Sequence, residues 1–282
     1  MQTDLPNIHL LTPSPKLPLY GKRILVTAPR NYASRFSEQI ITQGGLPVLM
    51  PTVETCYLSK YTELDAALSR LNEFNWIAFT SRNGIMAFFE RMNNLNIGIS
   101  ALKGCQLCAL GKDADILLSC FGKVDLIPSE PSPKGIVNEL AKIPQIHQQK
   151  ILVPVPEVIG IPEPNIVPNF ISELYKLGLK VTRVPAYITQ CLHKDIYAIE
   201  LNLIQQGLID VIAFSSTVEI ESFLTMVNSH SDYENCVIAC FGPYTATNAQ
   251  KLGFNVAIVS KNYSSFAGFT EAIAQFLTCT SS

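Results

Sequence analysis

Two short stretches of the chain carry adjacent hydroxyls in the same setting. Val211–Glu219 reads VIAFSSTVE, and Trp76–Gly84 reads WIAFTSRNG. In each, an apolar run of strand length stops at a hydroxyl pair, Ser215 and Ser216 or Thr80 and Ser81. A helical pattern then begins. A hydroxyl placed there sits beside unpaired backbone N–H groups and the positive end of a helix dipole. That is an anion-binding environment, and it is equally the environment of a plain N-cap. Further strand-like runs end in similar clusters: Gly111 and Lys112; Gly242, Pro243, Tyr244 and Thr245; and Ser264 and Ser265. Thr27 and Arg30 near the first such run, with Arg82 and Thr217 beside the hydroxyl pairs, complete the candidate binding set. No base accompanies the serines in the local sequence, so they read as grips for carboxylates and not as nucleophiles.

Several other chemistries are excluded by spacing. GPYTATNAQKLG is not a G-x-x-x-x-G-K-[ST] phosphate loop, and no G-x-G-x-x-G follows a strand. His9, His147, His193 and His230 have neither metal-ligand spacing nor a G-x-S-x-G companion. Cys105 and Cys108 form a C-x-x-C, but on a strand an odd spacing sends the two side chains to opposite faces. No second pair completes a zinc set, so the cysteines, seven of the eight within or beside apolar runs, read as buried reduced thiols in a reducing compartment. Glu157 and Glu163 flank VIGIP and read as solvated loop carboxylates. The expectation is a protein without metal or organic cofactor.

The elements that must position the hydroxyls follow from composition and pattern. The 282 residues are enough for two domains, and 48% hydrophobic against 16% charged suits a folded chain with a sizeable core. A net charge of -2 gives no footprint for nucleic acid or a polybasic membrane contact. No apolar run reaches the ~18 residues of a membrane span. Residues 1–20, with four prolines and no Arg, read as a flexible leader and not as a targeting segment.

Three blocks recur in the same order. KRILVTAP returns as QKILVPVP, placing Ile24 127 residues before Ile151. WIAFTSRNG returns as VIAFSSTVE, placing Ile77 135 before Ile212. CQLCALG returns as CVIACFG, placing Cys105 131 before Cys236. Each half contains five βα-like units. The strands are RILVT, LPVLMP, WIAFT, QLCAL and VDLI, then KILVPV, LKVTRVP, DVIAF, VIACF and NVAIV. Continuous apolar runs alternating with helical patterns predict parallel strands covered on both faces. The fold class is α/β, with two flavodoxin-like, doubly wound lobes. Ligands of such sheets bind outside the carboxyl ends of the strands, where the hydroxyl clusters lie.

DVIAFSSTVEIESFL, IACFGPYTATNAQKLGFNVAIVSKNYSSFAGFTEAI and LGLKVTRVPAYITQC together resemble the uroporphyrinogen-III synthase family, over about residues 22–277. The resemblance implies two α/β lobes joined by a two-stranded linker, with the chain crossing twice. One lobe would hold 21–45 plus 192–282, the other 59–178, and the linker strands 46–58 and 179–191. Repeats alone are compatible with this exchanged arrangement and with two sequential lobes. The resemblance also implies the activity: cyclisation of hydroxymethylbilane to uroporphyrinogen III, with loss of water and inversion of the last pyrrole, as a cofactor-free hydro-lyase. By the same resemblance Tyr187, in the Val-Pro-x-Tyr segment, is the proton donor to the leaving hydroxyl. A phenol ordinarily titrates near pH ~10 and is protonated at neutrality. The partners implied are the bilane substrate and a transient contact with the preceding pathway enzyme, for a monomer in the cytoplasm or a plastid stroma.

The chain departs from the family pattern in places. Ala28 stands where relatives carry Arg, and Arg30 follows. VPEVIGIPEPNIVP is Pro-rich and lacks a basic residue; Ala114 and Tyr244 replace threonines. The competing reading is a non-catalytic two-lobe binding or regulatory protein for an anionic small molecule or tetrapyrrole.

Overall fold

Side chains alternate in direction along a strand with a period of two, and that decides which side of each sheet a strand residue faces. In the computed structural model, which describes residues 16–263 and 265–280, that rule produces two sheets with a core on each face. The strands are β1 (Arg23–Val26), β2 (Leu46–Leu49), β3 (Val53–Cys56), β4 (Trp76–Ala78), β5 (Gln106–Cys108), β6 (Lys150–Ile159), β7 (Lys180–Cys191), β8 (Val211–Phe214), β9 (Val237–Cys240) and β10 (Val256–Val259). The helices that cover them are α1 (Arg30–Thr42), α2 (Thr62–Leu68), α3 (Arg82–Asn94), α4 (Asp113–Phe121), α5 (Pro133–Leu140), α6 (Ile166–Lys176), α7 (Ala198–Gln205), α8 (Thr217–Met226), α9 (Pro243–Lys251) and α10 (Phe266–Thr280).

The first sheet has the order β10-β9-β8-β1-β2 and the second β3-β7-β6-β4-β5. The pairings β1–β2, β1–β8, β8–β9 and β9–β10 are parallel, as are β4–β5, β4–β6 and β6–β7. The first sheet therefore has the flavodoxin-like order 2-1-3-4-5, counted along its own strands. The repeat maps β1 onto β6, β8 onto β4 and β9 onto β5. Each sheet thus takes two adjacent strands from one half of the sequence, β1 and β2 or β6 and β7, and its other three from the other half. The chain divides into a first unit, running to Val53 and resuming at Leu192, and a second unit, Glu54–Cys191. Leu46–Leu49 is a strand of the first sheet, and Lys180–Cys191 spans the whole second sheet beside β3.

In the first unit Ile24, Val26, Val211 and Ala213 face a core built with α1 and α10, where Phe36 stacks on Phe266 and Phe269. Leu25, Ile212 and Phe214 face the other side, with Phe223 and Phe254. In the second unit Ile77, Phe79, Leu107 and Leu152 face one core, and Trp76, Ala78, Ile151 and Val153 the other. Each such fully buried large side chain contributes roughly 1.5–3 kcal/mol. Cys105 and Cys108 fall on opposite faces, and the described cysteines are free thiols.

Three expectations need correction. VDLI is no strand: only Leu126 bridges Cys108, and β3 is the fifth strand of the second sheet. Its Asp125 side chain accepts the Leu107 N–H, which diverts the segment from a regular ladder. The Pro-rich stretch is not all loop either. β6 runs to Ile159, so Glu157 lies on a strand opposite Ile188, although exposed. Three features allow prolines there. β6 pairs with β4 only at Ile151 and Leu152, Pro156 lies at a register shift, and proline's missing N–H costs little at such places. Finally, residues 16–20 of the expected leader are folded onto the first unit. Leu19 is fully buried, and its N–H donates to the Gln43 carbonyl. Residues 1–15 lie outside the described residues.

Candidate functional site

The carboxyl end of β4 in the second unit is built around one tyrosine. Val155 of β6 lies opposite Pro185, but Pro156 lies opposite Tyr187, so Ala186 is an extra residue on β7. Such a bulge re-aims the side chains that follow it. Here it places the neighbours Ala186 and Tyr187 in the same core, where an even strand would send them to opposite faces. The Tyr187 ring is buried, and its hydroxyl lies 3.0 Å from Ser81 Oγ. Ser81 is the N-cap of α3: its Oγ accepts the Gly84 N–H at 3.1 Å. A Cβ on Gly84 would lie 3.3 Å from Ser81 Oγ, 3.4 Å from the Pro154 carbonyl oxygen and 4.0 Å from the Tyr187 ring. Glycine at that position makes room for the Ser81–Tyr187 contact.

Around this pair, Thr80 is half-buried. Arg82 Nε stands 3.9 Å from Asp113 Oδ1. Burial pushes the Asp113 carboxyl up, and the guanidinium partly opposes that shift. Gly111 ends β5 with φ +48, the left-handed region that favours glycine, and a Cβ would meet Pro131 at 3.3 Å. Lys112, the exposed N-cap of α4, makes no side-chain cap bond.

The equivalent end of β8, in the first unit, is built differently. Where the repeat has Gly84, this unit has Glu219, and its carboxylate is buried. Oε2 accepts the Ser215 N–H at 2.8 Å and the Thr27 hydroxyl at 2.9 Å. Oε1 accepts the Ser216 hydroxyl at 2.9 Å and the Ser215 hydroxyl. Burial raises this carboxyl above its ordinary value, and the hydrogen bonds from Ser215, Thr27 and Ser216 partly offset the rise. Thr52 Oγ1 donates to the Glu219 carbonyl at 3.1 Å, and Ser222 Oγ to the Thr52 carbonyl at 2.7 Å, so α8 is pinned to the segment after β2.

Sequence reasoning missed Glu219. The available signal was Ser216-x-x-Glu219, the capping-box spacing. In the structure the box does not close: Ser216 makes no cap bond, and Glu219 turns onto Ser215 and Thr27. The serines are therefore accompanied by a carboxylate after all, one that only α8 and β1 bring to them.

The remaining candidates of the first unit surround this end. Thr217 Oγ1 is buried without a hydrogen-bond partner. Thr245 is buried, with a long 3.5 Å contact to the Ser215 carbonyl. Gly242 caps α9 against Tyr263, whose Cβ would lie 3.0 Å from an added methyl; Pro243 and Tyr244 are exposed. Ser265 Oγ accepts the Gly268 N–H at 3.2 Å and so caps α10. Arg30 is exposed at the start of α1. Ser264 lies outside the described residues. The Pro-rich loop borrows a cation: Arg183 of β7 pairs with Glu163 at 2.5 Å. Among the described residues no cluster of His, Cys, Asp or Glu could hold a metal ion, and no helix is long and apolar enough to cross a membrane. A hollow of about 500 Å³ lined by Arg70, Lys150 and Lys180 lies at the amino ends of β6 and β7, away from the hydroxyls.

Comparison with known proteins adds the deciding observation. Residues 34–269 match the family described as Uroporphyrinogen-III synthase HemD. The chain belongs to the uroporphyrinogen-III synthase family. It is 28% identical to the uroporphyrinogen-III synthase of Synechococcus elongatus over 266 residues, 92% of this chain and 97% of that one. With the synthase of Chlorobaculum parvum it shares 27%, covering 91% and 99%. Among solved structures, a mutant uroporphyrinogen III synthase of Thermus thermophilus aligns with a TM-score of 0.68 at 17% identity, over 90% of this chain and 99% of that one. The Helicobacter pylori enzyme aligns at 0.54 and 17%, with the same coverage. At those identities the structural matches bear on the fold: two α/β lobes, as in other uroporphyrinogen-III synthases.

Proposed function

We propose that this chain converts hydroxymethylbilane to uroporphyrinogen III as a cyclising hydro-lyase, with Tyr187 as the proton donor. Family membership supports the activity. The observation that carries the assignment of Tyr187 is its hydroxyl, set by the β7 bulge at the carboxyl end of β4 and held by Ser81.

The step balances without a cofactor. The C–O bond of the hydroxymethyl group breaks with the adjacent pyrrole nitrogen donating electron density, and the oxygen leaves as water with a proton from Tyr187. The substituted carbon of the last pyrrole, the one that carries its bridging methylene, then bonds to the freed methylene. The older bond from that carbon to its bridge breaks with assistance from the neighbouring pyrrole nitrogen, and the released bridge rejoins the ring at its unsubstituted carbon, which inverts the ring. The ring proton finally lost restores the phenol. Without control, the unsubstituted end reacts directly and gives the symmetric isomer I. Holding the bilane in a near-attack geometry is the protein's main task, and such positioning is worth up to ~7–11 kcal/mol in favourable intramolecular cases.

The test is to supply freshly made hydroxymethylbilane, oxidise the products and separate the porphyrin isomers. Isomer III in excess is expected. Isomer I alone, at the spontaneous rate, overturns the reading and leaves the non-catalytic binding protein.

A further inference from the structure

The hydroxyls at the end of β8 have their protons spoken for. A serine or threonine hydroxyl has one proton to donate and two lone pairs to accept with. Ser215 and Ser216 both donate to Glu219 Oε1, and Thr27 donates to Oε2 or to the Ala213 carbonyl, 2.9 Å away. The Ser215 N–H is directed to Oε2 as well. Among the described residues no Lys, Arg or His forms an ion pair with Glu219. Cys240 on the neighbouring β9 feels the carboxylate charge, which adds to burial in pushing its thiol up to about 12. Ser215 and Ser216 are half-buried, whereas Glu219 is closed off behind them. What the serines have left to offer a ligand is lone pairs, with a buried carboxyl behind them.

We propose that Glu219 is the positioning residue of this strand end: by collecting the hydroxyl protons of Thr27, Ser215 and Ser216 it makes the serine pair a hydrogen-bond acceptor that selects pyrrole N–H groups and disfavours carboxylates. The β4 end differs because Gly84 replaces the carboxylate and Ser81 meets a phenol. Two strand ends related by the internal repeat thereby recognise opposite hydrogen-bonding characters. The proposal deepens the functional reading above and rests on it for the identity of the pyrrole ligand.

Two probes of one shape separate the possibilities: a pyrrole bearing acetate and propionate side chains, and the furan with the same side chains, whose ring oxygen accepts where the pyrrole N–H donates. Binding to the full chain is followed by NMR at the Ser215 and Ser216 amides. The pyrrole is expected to bind about tenfold more tightly, the equivalent of one hydrogen bond. In Glu219→Gln the amide NH2 must donate to one serine, whose proton then turns outward, and the ratio should fall to about one. If that variant fails to fold, Ser216→Ala should reduce the ratio in its place. Equal binding of the two probes by the native chain, no response at these amides, or a ratio unchanged in the variant overturns the proposal. A native chain that yields isomer I alone defeats the synthase reading by a separate measurement, so the two failures are distinguishable.

Discussion

A phenol and a carboxylate occupy related strand ends, and each makes a prediction. For Tyr187, replacement by phenylalanine keeps the ring in its core and removes the hydroxyl that meets Ser81. Turnover of hydroxymethylbilane should drop about 10²-fold, at the lower end for a general acid, because the pyrrole nitrogen also assists departure of the leaving group. The circular dichroism spectrum should be unchanged. Unaltered turnover would remove Tyr187 from the chemistry. For Glu219, burial raises the carboxyl above its reference of 4.5. The folded chain therefore holds more protons at this site than the unfolded chain between the two values, and stability decreases as pH rises through that window. The penalty is absent below the unfolded pKa and complete above the folded one. Urea midpoints of the native chain, measured from acid to neutral pH, should decline relative to Glu219→Gln. Parallel curves would show that Glu219 titrates normally. The long-range partners could not be read from neighbours in sequence: Ser81 and Tyr187 lie 106 residues apart, and Thr27 and Glu219 lie 192 apart; only the spacing from Ser216 to Glu219 was local.

At the scale of elements, helix starts do much of the placing. Ser81 and Ser265 each accept an N–H from three residues on, which is the capping arrangement expected of such hydroxyls, and Ser132 does the same. Ser132 opens α5, and the turn before it leaves no space at Gly135: a Cβ there would lie 2.0 Å from the Glu130 carbonyl oxygen. Gly135→Ala must displace that backbone and should cost about 1–3 kcal/mol, the usual range for overpacking. Chemical denaturation measures it; a loss within experimental error would mean that the turn yields freely. Most strands were legible because buried parallel strands are continuous apolar runs. β3 was not legible from pattern, since VETC has no such run; only the resemblance put a strand within 46–58, and it forms because β7 offers it an edge. VDLI had the pattern and failed, because the Asp125 carboxylate ties the segment to Leu107 by a side-chain bond. The β7 bulge was likewise invisible, since an extra residue is defined only against the partner strand.

At the scale of the whole molecule, the two units differ in how the chain supplies them. The second is one continuous segment, while the first needs both termini of the chain. A fragment starting at Thr52, so as to include β3, and ending at Cys191 should unfold cooperatively in urea by circular dichroism. The fragment from Leu192 onward should not, lacking β1 and β2, the two strands that complete its sheet beyond β8. A cooperative transition in the latter, or none in the former, would contradict this division. The sequence by itself determined the α/β class, the internal repeat of the strands and the strand ends that carry hydroxyls, all of which rest on local periodicity and spacing. The family was legible as a resemblance carried by particular segments. Only the tertiary structure decided that the halves exchange strands. Equivalent apolar edges can pair within a half or between halves, and periodicity is the same in both. Only the tertiary structure, too, directed the serine protons at VIAFSSTVE inward to Glu219. A buried carboxylate must gather its hydrogen bonds from whatever the fold brings near it, and here the fold brings Thr27 from the other end of the chain.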